Sequence, residues 1–289
     1  MSVHIYPIKT GLVKIKSSQR IRKSGGLIRV LFDKNWTEWL PIYAWVIEHP
    51  EGIFIVDTGE TSRSASDPDY FPNWHPYYRS SVKADVKPED EIGPQLKKLG
   101  INQSDIQKVI LTHLHTDHAG GLHHFTGNEI LVSHRDYILA KGFIGKLNGY
   151  LPNRWPKEFN PFPVMFNHES LGSFKQSYRL TKKGDIFIVP TPGHTPNHIS
   201  VIVKENDLYY FLAGDTTYSQ NNLIHNIPDG ISLRASVTLN TMGKIRNFAK
   251  EFPTVYLPSH DPETAERLKH LELLDVNDNE EAELMKQSA

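Results

Sequence analysis

Apolar runs of four to eight residues, each closed by turn-forming residues, recur along the chain. "IYAWVIEH" and "GIFIVDTG" (42–59) predict two strands joined by a Pro-Glu-Gly turn. "KVILT" (108–112), "EILVSH" (129–134), "DIFIVPTPG" (185–193), "HISVIV" (198–203), "LYYFLAGD" (208–215) and "TVYLPSH" (254–260) predict further strands. They are short and rich in β-branched and aromatic residues, which suits a pleated surface better than a helix. Between some of them the apolar period lengthens to that of a helix. "EDEIGPQLKKLG" (89–100) places Ile92, Leu96 and Leu99 on one face and stops at Gly100. "NTMGKIRNFAKEF" (240–252) does the same with Ile245, Phe248, Ala249 and Phe252, and "DPETAERLKH" (261–270) opens on the Asp-Pro of a helix start. Strands with helices interleaved predict a layered α/β architecture.

Two segments follow neither period. Residues 60–88, with "DPDYFPNWHPYYR", and 142–180, with "GYLPNRWPKEFNPFPVMF", are rich in Pro and aromatics and too long for simple connections. They read equally as lids or binding loops and as surface loops anchored by their aromatics. The tail 275–289, "DVNDNEEAELMKQSA", is acidic and poor in apolar residues, and predicts a frayed end or a short helix. One domain spanning 1–289, with these two insertions, is the expected organisation.

Composition narrows the classes. A hydrophobic fraction of 38% with 22% charged residues is enough to build a sizeable core in 289 residues. The 32 Lys and Arg nearly balance the 33 Asp and Glu, and no basic block stands out, which argues against nucleic acid as a partner. The start lacks the apolar core of a signal peptide and no run reaches about 18 apolar residues, so no membrane span and a cytoplasmic location are expected. With no cysteine, any metal site must draw on His, Asp or Glu.

Such residues cluster in "VILTHLHTDHAGG" (109–121). His113 and His115 are two apart at a strand end, so both rings leave on the same side. Asp117 and His118 follow where glycines let the chain turn. Imidazole and carboxylate together suit a divalent ion. Three more ligand-type residues each follow an apolar run: His194 in "VPTPGHTPNH", Asp215 in "YFLAGDTTYS" and His260 in "VYLPSHD". His4, His49, His75, His123, His124, His134, His168, His225 and His270 lack this context and read as packing or surface residues. His198, near His194, reads as a packing residue or a hydrogen-bonding support for a ligand.

The ordered set HxHxDH, then His, then Asp, then His resembles the metallo-β-lactamase superfamily, and "IFIVDTG" resembles its early strand-and-turn motif with Asp57 in a supporting position. The resemblance runs from about residue 42 to 262. It implies an αββα sandwich with the metal site at one edge. It also implies two divalent ions, with Zn the expected occupant and Fe, Mn or Co able to replace it. One would take His113, His115 and His194, the other Asp117, His118 and His260, with Asp215 bridging them. The chemistry implied is hydrolysis by a bridging hydroxide.

Within the superfamily, Asp at both 117 and 215 and the absence of Cys disfavour penicillin hydrolysis as the main activity. Glyoxalase II enzymes share the seven ligands but add a C-terminal helical domain, whereas only 29 residues follow His260 here. In "GDTTYSQ", Tyr218 stands three residues after Asp215, as in the N-acyl-homoserine lactonases, where a tyrosine at this spacing reaches the substrate carbonyl. The resemblance therefore implies lactone opening, with Tyr218 assisting the carbonyl oxygen and Asp117 as proton donor to the leaving ring oxygen. The substrate expected is a small lactone or ester with an apolar chain, and a homodimer is the assembly the resemblance implies. Trp36, Trp39, Phe71, Trp74, Phe143, Tyr150 and Trp155 are the aromatic candidates for an acyl-chain channel. The alternatives are another ester or thioester hydrolase, a phosphodiesterase, or a metal-binding protein without catalysis.

Overall fold

The computed structural model describes residues 3–276; most of the tail expectation (277–289) lies outside them. Among the described residues, twelve strands form two sheets. The first runs in the order β4-β1-β2-β3-β5-β6-β7, built from β1 (His4–Ile15), β2 (Leu40–His49), β3 (Gly52–Val56), β4 (Val82–Asp85), β5 (Ile106–Ile110), β6 (Ile130–Ser133) and β7 (Phe162–Val164). The second runs β12-β11-β10-β9-β8, from β8 (Tyr178–Arg179), β9 (Ile186–Pro190), β10 (Ile199–Glu205), β11 (Leu208–Gly214) and β12 (Thr254–Pro258).

The strands are near-continuously apolar because both faces of each sheet are covered. In β2, Trp45 and Ile47 point between the sheets to meet Ile188, Val201 and Leu212, whereas Ala44 and Val46 point outward. The outward face of the first sheet packs with Ile92 and Leu96 of the helix Ile92–Lys98. The second sheet buries Phe211, Ile202 and Tyr256 against Met242, Ile245 and Phe248 of the helix Ala235–Glu251. Helix, sheet, sheet and helix are thus stacked in the αββα order.

Strand direction creates the functional edge. In the first sheet β3, β5 and β6 are parallel, so their C-terminal ends lie together. In the second, β9 and β11 both run antiparallel to β10, and β12 is parallel to β11, so β9, β11 and β12 also share one end. Backbone bonds join the sheets there: Ile199 N donates to Thr112 O at 2.9 Å and Tyr43 N to Ser259 O at 3.0 Å.

The two Pro- and aromatic-rich segments are not plain loops. Residues 60–88 hold the helix Pro76–Ser80 and β4, which extends the first sheet beside β1; residues 142–180 hold the helix Phe143–Leu147, β7 and β8. Leu99 departs from its expected face: the helix ends at Lys98 and Leu99 is half exposed. No helix among the described residues is long and apolar enough to cross a membrane.

Candidate metal centre

All seven expected residues meet at this edge. His113, His115, Asp117 and His118 leave the end of β5, the last two on the short helix Thr116–Ala119; His194 follows β9, Asp215 follows β11 and His260 follows β12. His113, His115 and His194 form one triad and Asp117, His118 and His260 another. In the first, His115 Nδ1 is 3.0 Å from His113 Nε2 and 3.1 Å from His194 Nε2. In the second, His260 Nε2 is 3.4 Å from Asp117 Oδ2. Asp215 stands between them. Its Oδ2 faces His194 Nε2 at 3.4 Å, and its Oδ1 faces His118 Nε2 at 3.2 Å and His260 Nε2 at 3.4 Å.

The outer ring nitrogens explain why the inner ones are free. His118 Nδ1 donates to Asp57 Oδ2 at 2.8 Å, His260 Nδ1 to Pro41 O at 2.8 Å and His115 Nε2 to Asn148 O at 3.1 Å. In a neutral ring, as a metal ligand must be, a nitrogen that carries its proton outward leaves the other as a lone pair pointing inward. His118 Nε2 and Asp215 Oδ1 are indeed buried without a hydrogen-bond partner while facing each other. Opposed, dehydrated lone pairs are costly unless a cation lies between them, so the donor set fits divalent metal ions.

Electrostatics agree. Burial resists charge on His260, yet Asp215 and Asp117 draw it up to about 10. Burial resists ionisation of Asp117, but the hydrogen bond and charge of His260, with His118, hold it down at about 2. Burial and the neighbouring histidines push His113 well below its ordinary value, and burial with His194 takes His115 to about 4. The His113–His115 side rejects protons, while Asp117, Asp215 and Asp229 are held ionised. Metal ions satisfy both sides at once.

The supports are only partly legible in the sequence. Asp57 takes the orienting position expected of it: it sits at φ 61° and also accepts from Thr112 N at 2.7 Å and Thr112 Oγ1 at 2.9 Å. His198 stands behind Asp215 as a hydrogen-bonding support. Its Nδ1 donates to Thr191 Oγ1 at 2.9 Å, and its Nε2 accepts from Asp215 N at 3.0 Å. That contact needs Gly214, whose φ is 56° and where a Cβ would fall 2.7 Å from His198 Nε2. Asp229, 3.6 Å from His194 Nδ1, and Gln19, which donates to Tyr218 Oη at 2.7 Å, went unsignalled because neither follows a strand or belongs to a motif.

Beside the cluster lies a cavity of about 250 Å³ reached by His115, Asp117, His194, Asp215, His260 and Tyr218. Much of its lining is apolar, with Ile15, Leu27, Phe71, Leu147, Ile231 and Leu233. Of the seven aromatic candidates only Phe71 and Tyr150 line it. Trp74 and Phe143 are exposed, Trp36 and Trp39 lie under Lys16 and Lys14, and Trp155 packs on Tyr137 and Phe159. Tyr218 is buried, with its ring stacked on His260 at 5.6 Å.

An αββα sandwich with a His/Asp cluster of this composition at one edge defines a class of metal-dependent hydrolases. Residues 37–276 match the family described as the metallo-beta-lactamase superfamily, and the chain belongs to it. Among its relatives, the N-acyl homoserine lactonase AttM of Rhizobium radiobacter is 25% identical over 90% of this chain and 94% of its own. An N-acyl homoserine lactonase of a Bacillus species is 27% identical over 78% of this chain and 82% of its own. A solved N-acyl homoserine lactone hydrolase, with the product N-hexanoyl-L-homoserine bound at the catalytic metal center, shares the fold with a TM-score of 0.72 at 21% identity, covering 92% of this chain and 96% of that one.

Proposed function

We propose that this protein is a dinuclear metal-dependent lactonase that opens the ring of N-acyl-homoserine lactones. The observation that carries this reading is Tyr218, a buried residue that lines the cavity with its ring beside those of His194 and His260. The names of the relatives that cover most of the chain support it.

His113, His115 and His194 would hold one ion and Asp117, His118 and His260 the other, with Asp215 shared through its two oxygens. When bound, such ions supply Lewis acidity and make water nucleophilic near neutral pH. The remaining work belongs to the chain. Because Gln19 Nε2 donates to Tyr218 Oη, the phenolic proton is left to donate elsewhere. The substrate carbonyl oxygen receives it as negative charge develops there, in a buried setting where such a bond counts most. Asp117, an ionised carboxylate whose side chain retains 22% exposure toward the cavity, takes a proton from the attacking water and passes it to the departing ring oxygen. The ring C–O bond breaks, water contributes the new C–O bond, and the product is a hydroxy acid. The apolar wall accommodates the acyl chain.

The test compares kcat/KM of the zinc-loaded protein on an N-acyl-homoserine lactone, a phenyl ester, a glutathione thioester and a bis-aryl phosphodiester. The lactone is expected to be the best substrate, with opening followed by acid release. A thioester or phosphodiester turned over faster than every lactone would overturn the assignment.

A further inference from the structure

A second ligand cluster lies behind the catalytic edge. Glu91, which ends the stretch before the helix Ile92–Lys98, meets His123 and His124 of the turn Gly120–Phe125. Its Oε2 lies 2.7 Å from His124 Nε2 and 3.0 Å from His123 Nε2, and the two rings are 3.9 Å apart. Glu91 Oε1 is fully used, accepting from Ser62 N at 2.8 Å, Ser62 Oγ at 2.5 Å and Thr61 Oγ1 at 3.2 Å. The carboxylate is buried and so held in place, whereas His123 is half exposed.

Two features set the two rings around the carboxylate. His123 Nδ1 faces Gly120 O at 3.2 Å, a carbonyl that can only accept, so Nε2 is the ring nitrogen turned to the carboxylate. In addition, the His124 ring occupies space that only a glycine leaves open: a Cβ on Gly93 would fall 2.4 Å from His124 Nδ1. A glycine within a helix weakens it, and here it admits the ring to the cluster.

We propose that Glu91, His123 and His124 form a further divalent-cation site of the Zn²⁺ class, separate from the catalytic cluster, that braces its scaffold. Two imidazoles and a carboxylate are zinc donors, bound at about 2.0–2.2 Å, which places neighbouring donors about 3.3 Å apart. Oε2 lies 3.0 Å from His123 Nε2 and 2.7 Å from His124 Nε2, about 0.3 and 0.6 Å inside that spacing, so a bound ion would draw the rings slightly outward. Solvent completes the coordination on the exposed side of His123. The ion would tie together Thr61–Ser62, the start of the helix Ile92–Lys98 and the turn Gly120–Phe125. That turn directly follows Asp117 and His118, and Gly120 N and Gly121 N already donate to Gly59 O at 2.9 and 3.2 Å. The role is structural, since none of the three residues reaches the cavity.

The experiment titrates Zn²⁺ into protein whose catalytic cluster is already loaded, following heat and thermal melting. Wild type is expected to take up one further ion per chain with a rise in melting temperature, and His123→Gln/His124→Gln to lose both while keeping its catalytic metal. Equal uptake and equal melting shifts in the two proteins would overturn the site. If the double variant does not fold, His123→Gln alone decides, because that ring is half exposed. Zinc affinity lowered about tenfold or more supports the site, and unchanged affinity refutes it.

Discussion

At Asp57 one carboxylate settles the protonation of its neighbours. It accepts from His118 Nδ1 and from the hydroxyl of Thr112, so the His118 ring is held with Nε2 turned to Asp215. Asp57→Asn keeps the size and suits the left-handed φ, since Asn tolerates that region well, but it can offer its own N–H to the ring. Metal affinity is expected to fall about 10–100-fold with the fold intact; an unchanged metal titration would rule out the orienting role. Tyr218→Phe separates chemistry from assembly. It removes one donor to the carbonyl oxygen, so kcat on a lactone is expected to drop about 100-fold or more. Metal analysis should return the wild-type content, and undiminished turnover would remove Tyr218 from the mechanism. The seven cluster residues were legible because each sits in a motif or at a strand end. Gln19 and Asp229 were not, because their meaning lies only in whom they touch.

Among the elements, the strands that deliver ligands were legible because their apolar runs are uninterrupted. β1 was not: "HIYPIKTGLVKI" carries Pro7 and Gly11 and a register shift between Lys9 and Leu12, so no clean alternation survives. β4 and β8, at the sheet edges, have four and two residues, too few to show a period. The first forty residues nevertheless reach the site. The helix Gly26–Phe32 ends at Asp33, whose Oδ2 accepts from Ser18 N at 2.9 Å and whose Oδ1 accepts from Asn35 N at 3.1 Å. These bonds seat the short helix Ser17–Arg20 that presents Gln19 to Tyr218. Burial opposes ionisation of Asp33, but the bonds from Ser18 and Asn35 outweigh it and hold the carboxyl at about 2 against 3.8. A depressed carboxylate contributes stability that is present above its unfolded value and lost as pH falls through the folded one. Wild type should therefore be more stable than Asp33→Asn at neutral pH, with the gap closing between about pH 4 and 2. Thermal melts across that range test it, and a gap that persists below pH 2 would assign the effect to packing.

The molecule as a whole uses its cluster to join two sheets. His113, His115, Asp117 and His118 follow a strand of the first sheet and His194, Asp215 and His260 follow strands of the second, and between them His118 Nε2 and Asp215 Oδ1 are buried without a hydrogen-bond partner. Removing metal with a chelator should lower the melting temperature as well as abolish activity, and zinc should restore both, because a ligand bound only by the folded state stabilises it. Identical melts with and without chelator would show that the sheets hold together without the ions. What the amino-acid order determined by itself was the set of ligand types, their sequence, and the α/β layering. Each of these is written in local spacing, in a strand's apolar run or in the two-residue step from His113 to His115. Only the tertiary structure decided that Asp215 turns one oxygen to each triad, that Gln19 reaches Tyr218, and that Glu91 gathers the two histidines read as surface residues. These depend on distances between residues far apart in the chain, and spacing along the backbone does not encode such distances until the sheets have packed.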